Sequence, residues 1–338
     1  MAKVLIFGAS YGSLFATRLA VAGHDATLVC TASTAEMINR EGTRVRFPKV
    51  EIDSRALPGK VDALSPSAAD PAAFDLAVLA MQEPQYGAAG VRELLDRTAK
   101  ARVPCLSLMN MPPLPYVRRL PGLPADELRG CYTDATVWSA FEPGLLTLCS
   151  PDPQAVRPAG EPKNVLQVRL PTNFKAARFA SDADTAMLRR IAADMEAVDL
   201  PVKLKVHDSL FVPLAKWPML LAGNYRCVTA QGPRAIRDAV HGDPQAARAI
   251  YEWTQGLCMA LGADAQDLVP FDKYAAAAAS LSAPSSAARA VYAGAAYIER
   301  VDKLVQGIAA TRGLRNGTLD EIVALIDERL AANRQAAA

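Results

Sequence analysis

The chain has 338 residues. Single cores stop growing at roughly 250–300 residues, so two domains are expected. Hydrophobic residues make up 51% and charged residues 21%, which excludes disorder or a fibrous repeat as a whole-chain description. Lys plus Arg number 37 against 35 Asp plus Glu, and a net charge of +2 leaves no positive surplus for a nucleic-acid backbone.

Along residues 1–110, short apolar runs alternate with helical patterns. Residues 3–7 form a continuous apolar run, as in a strand buried on both faces. The turn-like GASYGS follows, then a helix over 14–22, a break at Gly23, His24 and Asp25, and a second strand over 26–30. A strand over 74–81, a helix over 85–100 and a strand over 104–110 continue the alternation, which implies a parallel sheet. Between 129 and 170 the runs 131–139, 145–150 and 165–170 read as strands of extra sheet joined to the first domain. An amphipathic helix over 184–198 and a strand-like piece over 202–206 close this half.

Beyond residue 206 helices are expected over 214–230, 244–261, 275–281 and 286–312. A last helix over 319–332 would be opened by a capping box of Thr318 and Glu321. The predicted class is therefore α/β: a Rossmann-type doubly wound domain over 1–206, then an all-helical domain over 207–338. Apolar stretches such as 74–81 fall far short of the roughly 18–20 residues a membrane span needs, and the start does not read as a signal peptide. A cytoplasmic protein with no membrane partner is expected. The six cysteines and three histidines are scattered without zinc spacing, so no metal is expected.

The first thirty residues make the strand, glycine turn, helix and strand of a phosphate-binding unit. Glycine is needed where the chain turns tightly and where backbone approaches a pyrophosphate, and a helix start offers free N–H groups to the anion. Gly8 supplies the first turn and Gly12 a close approach, while Ser10, Tyr11 and Ser13 complete the loop. Two registers fit: Ser10 and Ser13 stand at the second and third glycine positions, or the turn is one residue shorter and Gly12 is the third. No carboxylate ends the second strand to grip a ribose diol. Thr31, Ser33 and Thr34 can bond a 2′-phosphate, with Arg40 reaching it from the next helix, so NADP is expected with NAD as the alternative.

Asn110 ends a strand of the sheet, where open parallel sheets bind ligands. Lys216, Leu220 and Asn224 recur at fours along an otherwise apolar helix, with Pro218 restricting the register. A lysine in that setting is costly unless paired or functional, and an ammonium can protonate a carbonyl oxygen as hydride arrives.

On these residues the chain resembles the ketopantoate reductase (2-dehydropantoate 2-reductase) family over nearly its whole length. The opening strand and GASYGS turn are similar to that family's N-terminus. Asn110 matches its strand-end asparagine, and Lys216 and Asn224 match the ends of its lysine helix. The resemblance implies an NADPH-dependent reduction of a small 2-oxo acid or related carbonyl. In it Lys216 is the general acid, Asn110 contacts nicotinamide and substrate, and Gln85 lies near the cofactor. It also implies a helical second domain like the C-terminal domain of 6-phosphogluconate dehydrogenase. Leu220 and Met81 replace polar residues of the family pattern. Its substrate-binding glutamate aligns with Tyr297, near Glu299 and Asp302. Two other readings stay open: an opine-dehydrogenase-like imine reductase using His207 and Asp208, and an NADP-binding sensor without turnover. Apolar helices in the second half make a homodimer the candidate assembly.

Overall fold

The computed structural model describes residues 1–337. The chain divides into two units, one of Met1–Met81, Gln85–Arg119 and Thr136–Asp208, the other of Gln82–Pro84, Leu120–Ala135 and Ser209–Ala338. The expected break after residue 206 gave everything before it to the first domain. Two short segments of that half belong instead with the second unit.

The first unit opens with β1 (Lys3–Phe7), α1 (Gly12–Val21), β2 (Asp25–Val29) and α2 (Ala32–Glu41). The strands β3 (Arg44–Arg46), β4 (Glu51–Asp53), β5 (Val61–Leu64) and β6 (Leu76–Leu79) follow, then α3 (Ala89–Lys100), β7 (Cys105–Leu108) and the single turn α4 (Leu114–Val117). It ends with β8 (Leu146–Ser150), β9 (Gln154–Val156), β10 (Val165–Leu170), β11 (Phe174–Ala177), α5 (Asp182–Ala197) and β12 (Leu204–His207).

The main sheet has the order β12-β11-β8-β7-β6-β1-β2-β5. Six strands from β8 to β5 are parallel, and β11 runs against β8 with β12 parallel to it. Strand order reverses beside β1: the chain builds outward through β2 and β5 on one side and through β6, β7 and β8 on the other. Ligands of such sheets sit at that switch point, beyond the carboxyl ends of the strands. The inner strands are buried on both faces, and the one polar side chain of β7, Ser107, donates its hydroxyl to the carbonyl of Thr147 at 2.7 Å. A second sheet, β4-β3-β10-β9, joins the same core through Val45, Leu166 and Val168. Of the expected extra strands, 145–150 thus enters the main sheet and 165–170 the second.

The expected strand over 131–139 forms 3-10 turns, Ala125–Cys131 and Ala135–Trp138. The reason is visible at Thr133, whose N–H and hydroxyl are taken by the Glu83 carboxylate (3.1 and 2.9 Å) rather than by a ladder.

The second unit holds α6 (Lys216–Met219), the two-residue strands β13 (Val228–Thr229) and β14 (Gly232–Pro233), then α7 (Ile236–His241) and α8 (Pro244–Ala260). It ends with α9 (Phe271–Ala278), α10 (Ser286–Tyr292), α11 (Val301–Thr311) and α12 (Gly317–Ala337). Helix α8 shows why these segments are helical. Asp243 accepts from the Ala246 N–H, Pro244 stands in its first turn, and its buried face falls on Ala247, Ile250, Tyr251, Thr254, Leu257 and Cys258 at helical spacing. The expected helix over 286–312 is broken, because the chain turns at Gly294 (φ +85°) and stays irregular to Arg300. The last helix is opened by Asn316, whose side-chain oxygen accepts from the Leu319 N–H at 3.1 Å, not by Thr318 and Glu321.

Candidate active site

In the first unit, Gly8 leaves β1 at the switch point. Its φ of +100° disfavours any side chain, and a Cβ there would lie 2.7 Å from Met81 Cγ and 3.1 Å from the Ala80 carbonyl oxygen. Its N–H donates to the Val29 carbonyl at 2.9 Å, tying the turn to the end of β2. Gly12 begins α1, and a Cβ there would lie 2.8 Å from Ile6 Cγ2, so the helix packs closely on its strand. Close helix–strand packing of this kind is what the third glycine of the shorter register would need. Ser10 is exposed. Ser13 is buried and donates to the Ala9 carbonyl at 2.7 Å, so its hydroxyl holds the turn together rather than facing a ligand. Tyr11 donates to the Pro153 carbonyl at 2.7 Å and sets its ring edge-on to Phe174. Burial pushes its phenol well above the usual tyrosine range.

At the end of β2, Thr31 precedes α2 in extended conformation, with its hydroxyl 2.9 Å from that of Thr34 and 3.4 Å from that of Ser33. No acid lies in the first turn of α2. Arg40 stands in the last turn of this helix, pairs with Glu41 at 2.6 Å and has its side chain 70% exposed. It therefore does not reach the first turn, contrary to expectation. Gln85 is exposed in a 3-10 turn, Glu83–Gly87, and Asn110 is partly exposed just beyond the carboxyl end of β7. Asp208 pairs with Arg189 at 2.6 Å, which takes its carboxylate away from the His–Asp reading.

In the second unit, the expected helix over 214–230 is a composite. A 3-10 turn, Val212–Ala215, leads into α6, then a π-turn, Leu220–Asn224, and a 3-10 turn, Tyr225–Cys227. Pro218 offers no N–H to the ladder. Side chains also reach its carbonyls: Tyr274 donates to Met219 O (3.1 Å), Cys227 to Gly223 O (3.3 Å) and Ser285 to Asn224 O (2.7 Å). Gly223 is required because a Cβ would lie 2.0 Å from the Tyr274 hydroxyl. Between residues 212 and 227 only Lys216, Met219, Asn224 and Arg226 are not buried. Eight residues of regular α-helix overshoot alignment by about 80°, and a wider π-turn reduces that excess. A π-turn between Lys216 and Asn224 thus brings the two positions closer to one face than a regular helix would.

Tyr225, next to Asn224, was not singled out from the sequence. Its hydroxyl donates to the Glu299 carbonyl (2.7 Å) and accepts from the Val301 N–H (2.9 Å), fixing the irregular segment before α11. Glu299 is nearly buried and accepts from the Glu83 N–H at 3.4 Å. Burial raises the Glu83 carboxyl above the usual range, against the bonds from Thr133. Asp302 is fully buried against Arg300 (2.8 Å), which also binds Asp327, so it belongs to the helical framework. Tyr297 is 53% exposed with the Arg334 guanidinium over its ring. Of the three residues considered for substrate, Glu299 alone is tied to the lysine segment.

All six cysteines are free, and burial pushes the Cys30 and Cys131 thiols up to about 11 and Cys258 to about 12, which removes them as thiolate nucleophiles. Among the described residues no group of His, Cys, Asp and Glu could hold a metal, and no helix is long and apolar enough to cross a membrane.

No protein-family model matches the sequence, and no curated protein matches it. Solved structures do match the fold. The 2-dehydropantoate 2-reductase of Methylococcus capsulatus aligns with a TM-score of 0.70 at 14% identity, over 98% of each chain. The enzyme of that name from Geobacter metallireducens aligns at 0.68 and 15% identity, over 96% of this chain and 99% of its own. A D-mandelate dehydrogenase solved with NADH and anilino(oxo)acetate aligns at 0.67 and 13% identity, over 98% and 99%. The fold is theirs from end to end.

Proposed function

We propose that this chain is an NAD(P)H-dependent oxidoreductase of the ketopantoate reductase kind, acting between a small 2-oxo acid and its 2-hydroxy acid. The observation that carries the reading is the pair Lys216 and Asn224, two of the four residues not buried between 212 and 227, on either side of a break into a π-turn. Proteins of this fold include 2-dehydropantoate 2-reductases and a D-mandelate dehydrogenase. The chemistry common to those names is the interconversion of a 2-oxo and a 2-hydroxy acid.

The residues present fit a dinucleotide. Gly8 and Gly12 leave no room for a Cβ on the backbone around the turn, and the first turn of α2 carries hydroxyls and no carboxylate. Gly8, Ser10 and Gly12 would hold the pyrophosphate, Thr31 and Ser33 the adenosine ribose, and Gln85 and Asn110 the nicotinamide side. Tyr11 and Ser13 shape the turn from behind. When bound, the nicotinamide supplies or accepts hydride at the carbonyl carbon. Lys216 Nζ gives its proton to the carbonyl oxygen in reduction and takes it back from the hydroxyl in oxidation, and exchange with solvent restores it. The side-chain amide of Asn224, on the same segment as Lys216, would hold a substrate oxygen within reach of this proton. Glu299, positioned by Tyr225, completes the polar lining. NADPH is the favoured reductant, because no acid at the end of β2 repels a 2′-phosphate.

The test is an NADPH-oxidation screen across 2-oxo acids of increasing side-chain size, run beside a binding titration. Turnover with at least one 2-oxo acid supports the reading. Turnover that appears only with an added amine moves it to imine reduction, and tight binding with no turnover moves it to a sensor.

A further inference from the structure

Three carboxyl side chains are buried among the described residues of the second unit: Glu83, Glu299 and Asp302. Asp302 is matched by the Arg300 guanidinium. Glu83 is held instead by neutral donors. Its carboxylate accepts from the Thr133 N–H, at 3.1 and 3.3 Å to the two oxygens, and from the Thr133 hydroxyl at 2.9 Å. The Asp134 N–H joins them. A carboxylate is costly to bury and accepts at both oxygens, so N–H and O–H groups converging on it fix it in one orientation.

The backbone N–H of the same residue donates to Glu299 Oε1 at 3.4 Å. Glu299 lies in the irregular stretch between Gly294 and Arg300, where no helix or strand ladder sets its backbone. Other groups do so. The Tyr225 hydroxyl holds the Glu299 carbonyl at 2.7 Å and accepts from the Val301 N–H at 2.9 Å, while the Glu83 N–H holds the Glu299 carboxylate. A glutamate side chain has several rotatable bonds, so the bond to its carboxylate selects where the charge stands. That bond is only as firm as the placing of residue 83, which opens the 3-10 turn Glu83–Gly87. The Glu83 side chain, clamped on Thr133, supplies that placing. The series runs from Thr133 through Glu83 and Glu299 to Tyr225, the neighbour of Asn224.

We propose that Glu83 is a positioning residue for the reduction: its backbone N–H, locked by its own side chain on Thr133, sets where the Glu299 carboxylate meets the substrate. The proposal rests on the oxidoreductase reading above and adds a residue that itself touches neither substrate nor nicotinamide.

Steady-state kinetics with NADPH and the most active 2-oxo acid, beside an NADPH binding titration, test it on the full chain. The proteins compared are wild type, Glu83→Ala, Glu83→Gln, Thr133→Val, Glu299→Ala and the double variant Glu83→Ala/Glu299→Ala. Glu83→Ala should raise KM for the 2-oxo acid by about 10- to 30-fold with kcat within about threefold, since substrate binding is lost in ground and transition state alike. Glu83→Gln, whose amide oxygen can still accept from Thr133, should stay within about threefold of wild type in KM. Thr133→Val, which loses only the hydroxyl, should fall between. Because Glu83 acts through Glu299, Glu83→Ala should change KM by less than about twofold once Glu299 is replaced. The Kd for NADPH should stay within about twofold throughout. Gln85 follows two residues later in the same turn, so a turn that was merely loosened would weaken NADPH as well. Effects on KM that multiply in the double variant, an unchanged KM in Glu83→Ala, or parallel weakening of NADPH and substrate would overturn the assignment while leaving the oxidoreductase reading standing. If Glu83→Ala does not fold, Thr133→Val with and without Glu299→Ala makes the same comparison. A wild type that reduces no 2-oxo acid overturns both.

Discussion

The glycine turn over 8–12 and the lysine segment over 212–227 solve the same problem by opposite means. Both must hold polar groups in a fixed direction within an apolar setting. The glycine turn takes its shape largely from its own residues: Gly8 has φ of +100°, Gly12 lets α1 lie on Ile6 and Ser13 closes the loop on Ala9, while Val29 and Pro153 tie it to its surroundings. The lysine segment is held from a distance. Its carbonyls at Met219 and Asn224 accept from Tyr274 and Ser285, 55 and 61 residues away, which brace the π-turn from other helices. A site built from local chemistry is robust to change elsewhere, whereas one built from borrowed hydrogen bonds depends on the packing of other helices.

The sharpest way to break this comparison is to remove the group that the second device presents. Lys216→Ala should lower kcat by about 10²–10⁴ while leaving the Kd for NADPH within about twofold. Steady-state rates and a binding titration read both quantities, and unchanged turnover would take Lys216 out of the chemistry.

Next in size is the support of the π-turn. Gly223→Ala forces a Cβ against the Tyr274 hydroxyl and should cost about 1–3 kcal/mol in urea unfolding. The cost should shrink in a Tyr274→Phe background, where the clashing oxygen is gone. A double-mutant cycle with no coupling would contradict the proposed packing.

The local device should respond more mildly. Gly8→Ala puts a side chain at positive φ, worth about 1–2 kcal/mol, and its Cβ meets the flexible Met81 as well as backbone. NADPH affinity should fall, with no rescue from any change in the second unit. Rescue by such a change would mean that the two devices are not independent.

The smallest effect is a pH dependence at Glu83. Its folded pKa is raised by burial, so its stabilising contribution is full below the unfolded value of about 4.3 and is lost as pH rises through the folded value. Glutamine does not titrate, so the stability of Glu83→Gln relative to wild type should rise from pH ~4 toward neutrality. A gap that stays flat or closes would place the titrating group elsewhere.

The same contrast explains what could be read from the sequence. The α/β order, the placing of β1, α1 and β2, and the positions of Gly8 and Gly12 follow from short-range signals: an apolar run, a turn, a helix, another run. Asn110 at a strand end was legible for that reason. The π-turn was not, since Pro218 marks an interruption but nothing nearby specifies its form. The strand expected over 131–139 failed because Glu83, some fifty residues earlier, takes the Thr133 N–H. Asp302 looked like a site acid because Arg300 at i−2 was not read as its partner. Arg40 was placed near the ribose by helix membership alone, although it stands at the far end of α2.

The assignment of hydride transfer to a 2-oxo acid is tested most directly by isotope. The protein is supplied with NADPH deuterated at nicotinamide C4 and with the most active 2-oxo acid of the screen, and the product is read by mass spectrometry and NMR. The predicted result is a 2-hydroxy acid carrying one deuterium at C2, formed by wild type and almost absent with Lys216→Ala. A 2-hydroxy acid without deuterium, or bound NADPH that no 2-oxo acid discharges, would contradict it.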